Sequence, residues 1–175
     1  MNHTKTALHL FSAASVLAMV AGCSTSPTTS TISDAESCTL LNKVIAQSAT
    51  GFEALKGTRV TDYDHSRWDT APIMTGANCD VISWGTGKTN FACTWDKPAE
   101  AAARNDYTSG LKLVTSCLGA SWTASSLPGT NGEGQRFSRP GENAVVDIRV
   151  YPERSPSTAW QTSLTVGSAI NRNAR

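Results

Sequence analysis

Two stretches of the chain carry apolar residues at helical spacing. In the first, Ser33 followed by Glu36 has the spacing of a capping box. The apolar positions that follow are compatible with one helical face: Cys38, Leu41, Ile45, Phe52 and Leu55. The pattern predicts a helix over residues 34–49, then a kink, then a short helix that begins with a second capping signature at Thr50 and ends at Gly57.

The second helical stretch begins at Pro98, which suits the first turn of a helix because its missing N–H has no partner there. Four apolar residues follow at helical spacing: Tyr107, Leu111, Val114 and Leu118. Gly119 is predicted to end this helix.

Between these helices, residues 79–84 and 90–95 are rich in strand formers and are separated by Gly-Thr-Gly-Lys-Thr, which predicts a β-hairpin. If residues 85–87 form its tip, Trp84 faces Lys88. The same run resembles the end of a phosphate-binding loop, but Ile82 stands where that motif requires glycine and a strand follows it. No nucleotide is expected.

Further strands are predicted after the second helix, over residues 121–126, 135–139 and 143–151 and around residues 160–166. Alternation places one set of residues on the inner face: Ala144, Val146, Ile148, Val150, Trp160, Thr162, Leu164 and Val166. The predicted fold class is therefore α+β, an antiparallel sheet with two helices packed on one face. Helix and hairpin occur twice, which hints at a duplicated unit, although no residue-level repeat is visible.

The first 22 residues have the layout of a secretory signal peptide: a polar start with Lys5, an apolar stretch over residues 7–21, and small residues at its end. The stretch is too short for a spanning helix. Val20-Ala21-Gly22-Cys23 resembles the lipobox of bacterial lipoprotein precursors. The resemblance implies that Cys23 becomes the first mature residue and carries the lipid, with palmitate among its acyl chains.

Ser24 stands where that family's inner-membrane retention signal has aspartate, so the resemblance implies the outer membrane, with the domain facing the periplasm. Acyl chains anchor such a protein without spanning the bilayer. Residues 23–32 are rich in serine and threonine and are expected to be a flexible tether. A single domain is then expected over residues 33–170, followed by a frayed tail over residues 171–175.

Four cysteines remain after Cys23, an even number in an exported chain, so two disulfides are expected. Four cysteines permit three pairings. The predicted hairpin places Cys79 opposite Cys93, and Cys38 and Cys117 lie on or beside the apolar faces of the two helices, which favours these two pairs. No C-x-x-C pair is present, so a zinc site is not expected.

Composition narrows the class of partner. The chain has 175 residues, 15 basic and 14 acidic, and Lys5 is the only charged residue before Cys23, so the mature chain is formally neutral. A neutral domain offers no electrostatic attraction for nucleic acid.

His65 is the only histidine of the mature chain and lies in Asp-Tyr-Asp-His-Ser-Arg-Trp-Asp, residues 62–69. The cluster holds an acid, a base and a hydroxyl, but no G-x-S-x-G elbow accompanies any serine. A calcium loop would need glycine where Arg67 stands and glutamate where Ile73 stands. The alternative is a solvated loop of paired charges. No catalytic residue, metal or cofactor is predicted.

All five tryptophans fall in the mature domain, and core packing is their commonest use. Trp84 and Trp95 have opposite parity on the hairpin, so at most one of them should be buried. The loop over residues 127–134 is a second candidate contact. The candidate binding residues are Asp62, Asp64, His65, Trp68, Trp84 and Lys88.

Small size, a single histidine and the lack of a nucleophile motif favour a non-enzymatic domain. The leading hypothesis is an envelope lipoprotein that binds an envelope or secreted protein, as an inhibitor or immunity-type protein or as an assembly accessory. The alternatives are a glycan-binding module that uses exposed tryptophans, and a glycan-processing enzyme that uses His65 with Asp62, Asp64 or Asp69.

Overall fold

The fold was obtained as a computed structural model, which describes residues 31–61, 65–85, 87–127, 132–153 and 159–168. The signal peptide, most of the tether, the tail, Asp62 and Asp64 lie outside these residues. In chain order the helices and strands are α1 (Asp34–Gln47), β1 (Arg59–Thr61), β2 (His65–Thr70), β3 (Asn78–Trp84), β4 (Thr89–Lys97), α2 (Glu100–Leu118), β5 (Thr123–Ser126), β6 (Glu133–Ser138), β7 (Ala144–Pro152) and β8 (Trp160–Ser168).

The start of α1 is as predicted, because the Ser33 hydroxyl caps the helix by accepting a hydrogen bond from the Glu36 N–H at 3.3 Å. The predicted second helix is shorter than expected and consists of 3₁₀ turns over Ser48–Thr50 and Glu53–Leu55. Thr50 does not cap a helix; its hydroxyl donates to the Gln47 carbonyl at 3.1 Å.

The prediction that Pro98 lies in the first turn of α2 was wrong. The helix begins at Glu100, and Ala99 occupies the N-cap position with an extended backbone. Pro98 therefore comes just before the cap, where its ring disfavours helical geometry in the preceding residue. The predicted end was correct, because Gly119 follows the last helical residue, Leu118.

The eight strands form one antiparallel sheet in the order β1-β2-β3-β4-β8-β7-β6-β5. The last described strand, β8, lies at the centre and pairs with both β4 and β7. The predicted α+β class, with helices on one face of an antiparallel sheet, is confirmed.

The predicted hairpin register is confirmed. Cys79 pairs with Cys93 across β3 and β4, and the Trp84 N–H donates to the Lys88 carbonyl at 2.8 Å. Both predicted disulfides are present, one across this hairpin and the other joining the two helices through Cys38 and Cys117.

The segment over residues 65–70 is a strand, whereas the solvated-loop alternative for the His65 cluster predicts a loop there. Its side chains are mostly half-buried, because β2 has β1 on one side and β3 on the other. Neither β1 nor β2 shows a clear apolar alternation, so the pattern of hydrophobic residues gave no signal for them.

The core lies between the helices and one face of the sheet. The inner faces of β7 and β8 hold the predicted apolar residues, with Ile148, Leu164 and Val166 fully buried. The buried Thr162 hydroxyl donates to the Ala103 carbonyl of α2 at 2.7 Å, which ties this helix to β8. Tyr107 of α2 is buried here as well, and burial raises the pKa of its phenol.

No helix among the described residues is long and apolar enough to cross a membrane.

Candidate functional site

No described helix covers the second face of the sheet, which carries polar and charged side chains. We call it the open face. Its central row crosses the sheet from β3 to β6 through residues directly opposite one another: Asp80, Ala92, Thr165, Asp147 and Arg136.

Asp147 is the most deeply buried charge on this face, with no exposed surface. It accepts two hydrogen bonds from Arg136, from Nε at 2.9 Å and from Nη2 at 3.1 Å, and Nη2 of Arg149 lies 3.8 Å away. The hydrogen bonds to Asp147 raise the pKa of Arg136. The pair resembles a structural ion pair more than a reactive acid, because both carboxylate oxygens are engaged.

Asp80, at the β3 end of the same row, belongs to a second ion pair. Nε of Arg67 lies 3.3 Å from Oδ1 of Asp80, and the Arg67 side chain is 40% exposed. The centre of the open face is therefore a set of paired charges around the small residues Ala92 and Thr165.

Trp84 stands at one end of the open face and is 40% exposed. Its ring centroid lies 4.9 Å from that of His65, with the two planes tilted by 37°. In the amide orientation that satisfies its hydrogen bonds, the side-chain oxygen of Asn90 accepts a bond from Trp84 Nε1 at 3.3 Å. Two neighbours therefore fix the ring while a large part of it remains accessible.

Apolar surface continues beside Trp84. Val60 of β1, 39% exposed, lies across from Arg67, which in turn lies across from Ile82 of β3. Lys88 lies opposite Trp84 across the hairpin turn. We call this group the Trp84 patch, formed by Val60, His65, Ile82, Trp84 and Lys88.

The structure brings three of the six predicted binding residues together: His65, Trp84 and Lys88. Trp68 lies on the other face of the sheet, directly across from the buried Val81, with the Lys56 ammonium 4.0 Å from its ring centroid. It therefore belongs to a different surface.

The prediction that at most one of Trp84 and Trp95 is buried is confirmed, since Trp95 is only 7% exposed. Sequence analysis missed Val60 and Ile82, because only the pairing of β1, β2 and β3 places them beside Trp84.

Catalysis by His65 with Asp69 finds no support in the geometry. The two residues lie four positions apart on one strand, about 13 Å at the usual rise per residue, which is too far to share a proton. Among the described residues, no group of three or more histidine, cysteine, aspartate or glutamate side chains is placed to hold a metal ion.

A cleft of about 410 Å³ lies on the helix side, between the start of α1, α2 and the loop before β3. Three of its polar side chains are engaged within the fold. The Trp95 indole donates to the Thr75 carbonyl at 3.0 Å, and the Thr75 hydroxyl accepts from the Ile32 N–H at 2.9 Å. Asp106 is 3.3 Å from the Lys97 ammonium. Of the predicted binding residues that the structure describes, His65, Trp68, Trp84 and Lys88, none lines this cleft.

No protein-family model, curated protein or solved structure matches this chain. A proposal for function therefore rests on the sequence and on the geometry of the open face.

Proposed function

We propose that this protein is a lipid-anchored lipoprotein of the bacterial cell envelope whose domain binds another protein through the Trp84 patch. The anchoring half of the proposal rests on the signal-peptide pattern and on the lipobox-like residues that end at Cys23. The absence of aspartate at Ser24 favours the outer membrane, with the domain in the periplasm.

The single observation that carries the binding half is Trp84 itself. An accessible tryptophan held in one orientation loses little side-chain entropy when a partner covers it. Tryptophan is also among the residues that most often dominate the energy of protein interfaces.

The neighbours of Trp84 favour a protein as the ligand. Val60 and Ile82 add aliphatic surface, and Lys88 adds a cation at the rim, which together give the mixture of apolar centre and polar edge found at protein interfaces. Within this class we favour an inhibitor or immunity-type protein, or an accessory to envelope assembly.

Site-specific photo-crosslinking in the native envelope tests the binding half. A benzoylphenylalanine placed at Val60 is expected to give one discrete protein adduct. The same group placed at Lys43, an exposed residue of α1, is expected to give none. In the Val60 background, Trp84→Ala should reduce the adduct at least tenfold, since truncation of an interface hot spot costs about 2 kcal/mol or more.

Three results would overturn the binding proposal: no adduct at Val60, equal adducts at Val60 and Lys43, or an adduct that survives Trp84→Ala. A smear that collapses on lysozyme digestion would favour the glycan-binding alternative. A melting temperature of the Trp84→Ala domain equal to that of the parent domain shows that the variant is folded.

A further inference from the structure

The described chain consists of two α–β–β–β–β units in sequence, one from α1 to β4 and the other from α2 to β8. The strand order is symmetric about the middle of the sheet. Counted inward from the two edges, β1 corresponds to β5, β2 to β6, β3 to β7 and β4 to β8. The two units are thus related by a pseudo-two-fold axis that runs through the sheet between β4 and β8.

The helices agree with this relation at three buried positions. These positions correspond at a constant offset in sequence: Ser37 to Ala103, Leu41 to Tyr107, and Val44 to Gly110. Matching buried positions on two helices indicate that both present the same face to the sheet.

The strands agree as well. The Cys79–Cys93 cross-strand pair of the first unit corresponds to the Val146–Val166 pair of the second, and both pairs are buried. Under the same alignment Ala92 corresponds to Thr165, the residue directly opposite it, so the axis passes through that pair.

The two acidic residues of the central row are also equivalent, since Asp80 corresponds to Asp147. Each pairs with an arginine of the next strand outward, although the two arginines are not at equivalent positions, since Arg136 lies directly opposite Asp147 whereas Arg67 lies opposite Ile82.

This symmetry gives Trp84 a counterpart. At the same place in the second unit stands Tyr151, the next-to-last residue of β7, which lies on the open face opposite Gln161. The Tyr151 hydroxyl donates to Oε1 of Gln161, and Nε2 of Gln161 donates to Oδ1 of the exposed Asp96 at 2.6 Å. We call these three residues the Tyr151 centre.

The Trp84 patch and the Tyr151 centre lie at opposite ends of the open face. Four residues along the strand separate each aromatic residue from the central row, and three strand spacings separate β3 from β7. At the usual strand dimensions the two aromatic residues are about 30 Å apart.

The described residues place different charges at the two ends. Lys88 lies at the Trp84 end, whereas Asp96 and Glu153 lie at or beside the Tyr151 end. Arg149, two residues before Tyr151 on the same face, lies 3.8 Å from Asp147 and is partly neutralised by it. A partner surface that covers both ends is complementary if it is acidic where it meets Trp84 and basic where it meets Tyr151.

We propose that the open face binds one protein partner through two contact centres, the Trp84 patch and the Tyr151 centre, and that this partner presents an acidic region and a basic region about 30 Å apart. The proposal rests on the proposed function, since it extends the same binding surface into the second unit.

The test compares crosslinkers at the two ends. Thr94, on the open face two residues from Asp96, carries the photo-reactive group in one variant and Val60 carries it in another. We expect both to give an adduct with the same protein, identified by mass spectrometry, and Lys43 to give none. An adduct at Val60 alone overturns the second centre and leaves the proposed function standing, whereas no adduct at either position overturns both.

Charge reversal tests the chemistry of the partner. With the crosslinker at Val60, Asp96→Lys should reduce the adduct at least threefold, and Lys88→Glu should do the same. Lys43→Glu is the matched control on α1 and should leave the yield unchanged. An adduct that is insensitive to both reversals would overturn the assignment of an acidic and a basic region.

Discussion

Asp147 shows how a charge is retained on a sheet face that no helix covers. Val145, Asp147 and Arg149 alternate on one face of β7, as sequence alternation predicts. The burial of Asp147 was not predictable, because it depends on Arg136, which only the pairing of β6 with β7 brings across from it. Neighbouring strands therefore decide whether an outward carboxylate is solvated or enclosed.

We expect Asp147→Asn to lower the free energy of unfolding by about 3 kcal/mol, because the substitution leaves the largely enclosed Arg136 without its counter-charge. Urea denaturation of the soluble domain measures this difference. Glu53→Gln is the control, since the side chain of Glu53 is 71% exposed in its pair with Lys56 and should change stability by no more than about 1 kcal/mol. Equal effects of the two substitutions would contradict the structural role of Asp147.

At the scale of elements, the sequence predicted those parts whose pattern is local. The β3–β4 register follows from the hairpin tip, and the inner faces of β7 and β8 follow from strict alternation. The edge strand β1 and its neighbour β2 have no such signal, because strands near the edge of a sheet tolerate polar side chains on both faces. For this reason the sequence could not predict that Val60 and Ile82 belong to the Trp84 patch, whereas it did identify Trp84 as a candidate binding residue.

The Cys38–Cys117 disulfide joins α1 to α2, and so joins the two units. We expect the double variant Cys38→Ala/Cys117→Ala to lose about 2–4 kcal/mol of stability, mainly because the unfolded chain regains the freedom of a long closed loop. Guanidinium denaturation of the oxidised proteins measures the loss. A change below about 1 kcal/mol would mean that packing between the helices, and not the covalent bond, holds the units together.

At the scale of the whole molecule, the proposed lipid anchor at Cys23 can be tested separately from the proposed binding surface. Cys23→Ser should move the protein from the membrane fraction to the soluble fraction and abolish incorporation of labelled palmitate. Ser24→Ala is the control and should remain in the membrane fraction. A Cys23→Ser protein that stays with the membrane and still incorporates the label would show that the lipid is not attached at Cys23.

The position of β8 sets the order in which the domain can be assembled. This strand is the last described one in sequence, yet it fills the middle of the sheet, so β4 and β7 both lack a neighbour until residues 160–168 arrive. A chain that emerges from its N-terminal end cannot complete the sheet while those residues are still being synthesised. The topology thereby keeps the chain incompletely folded until residues 160–168 have been synthesised. An incompletely folded chain is the form that can pass through a narrow export channel.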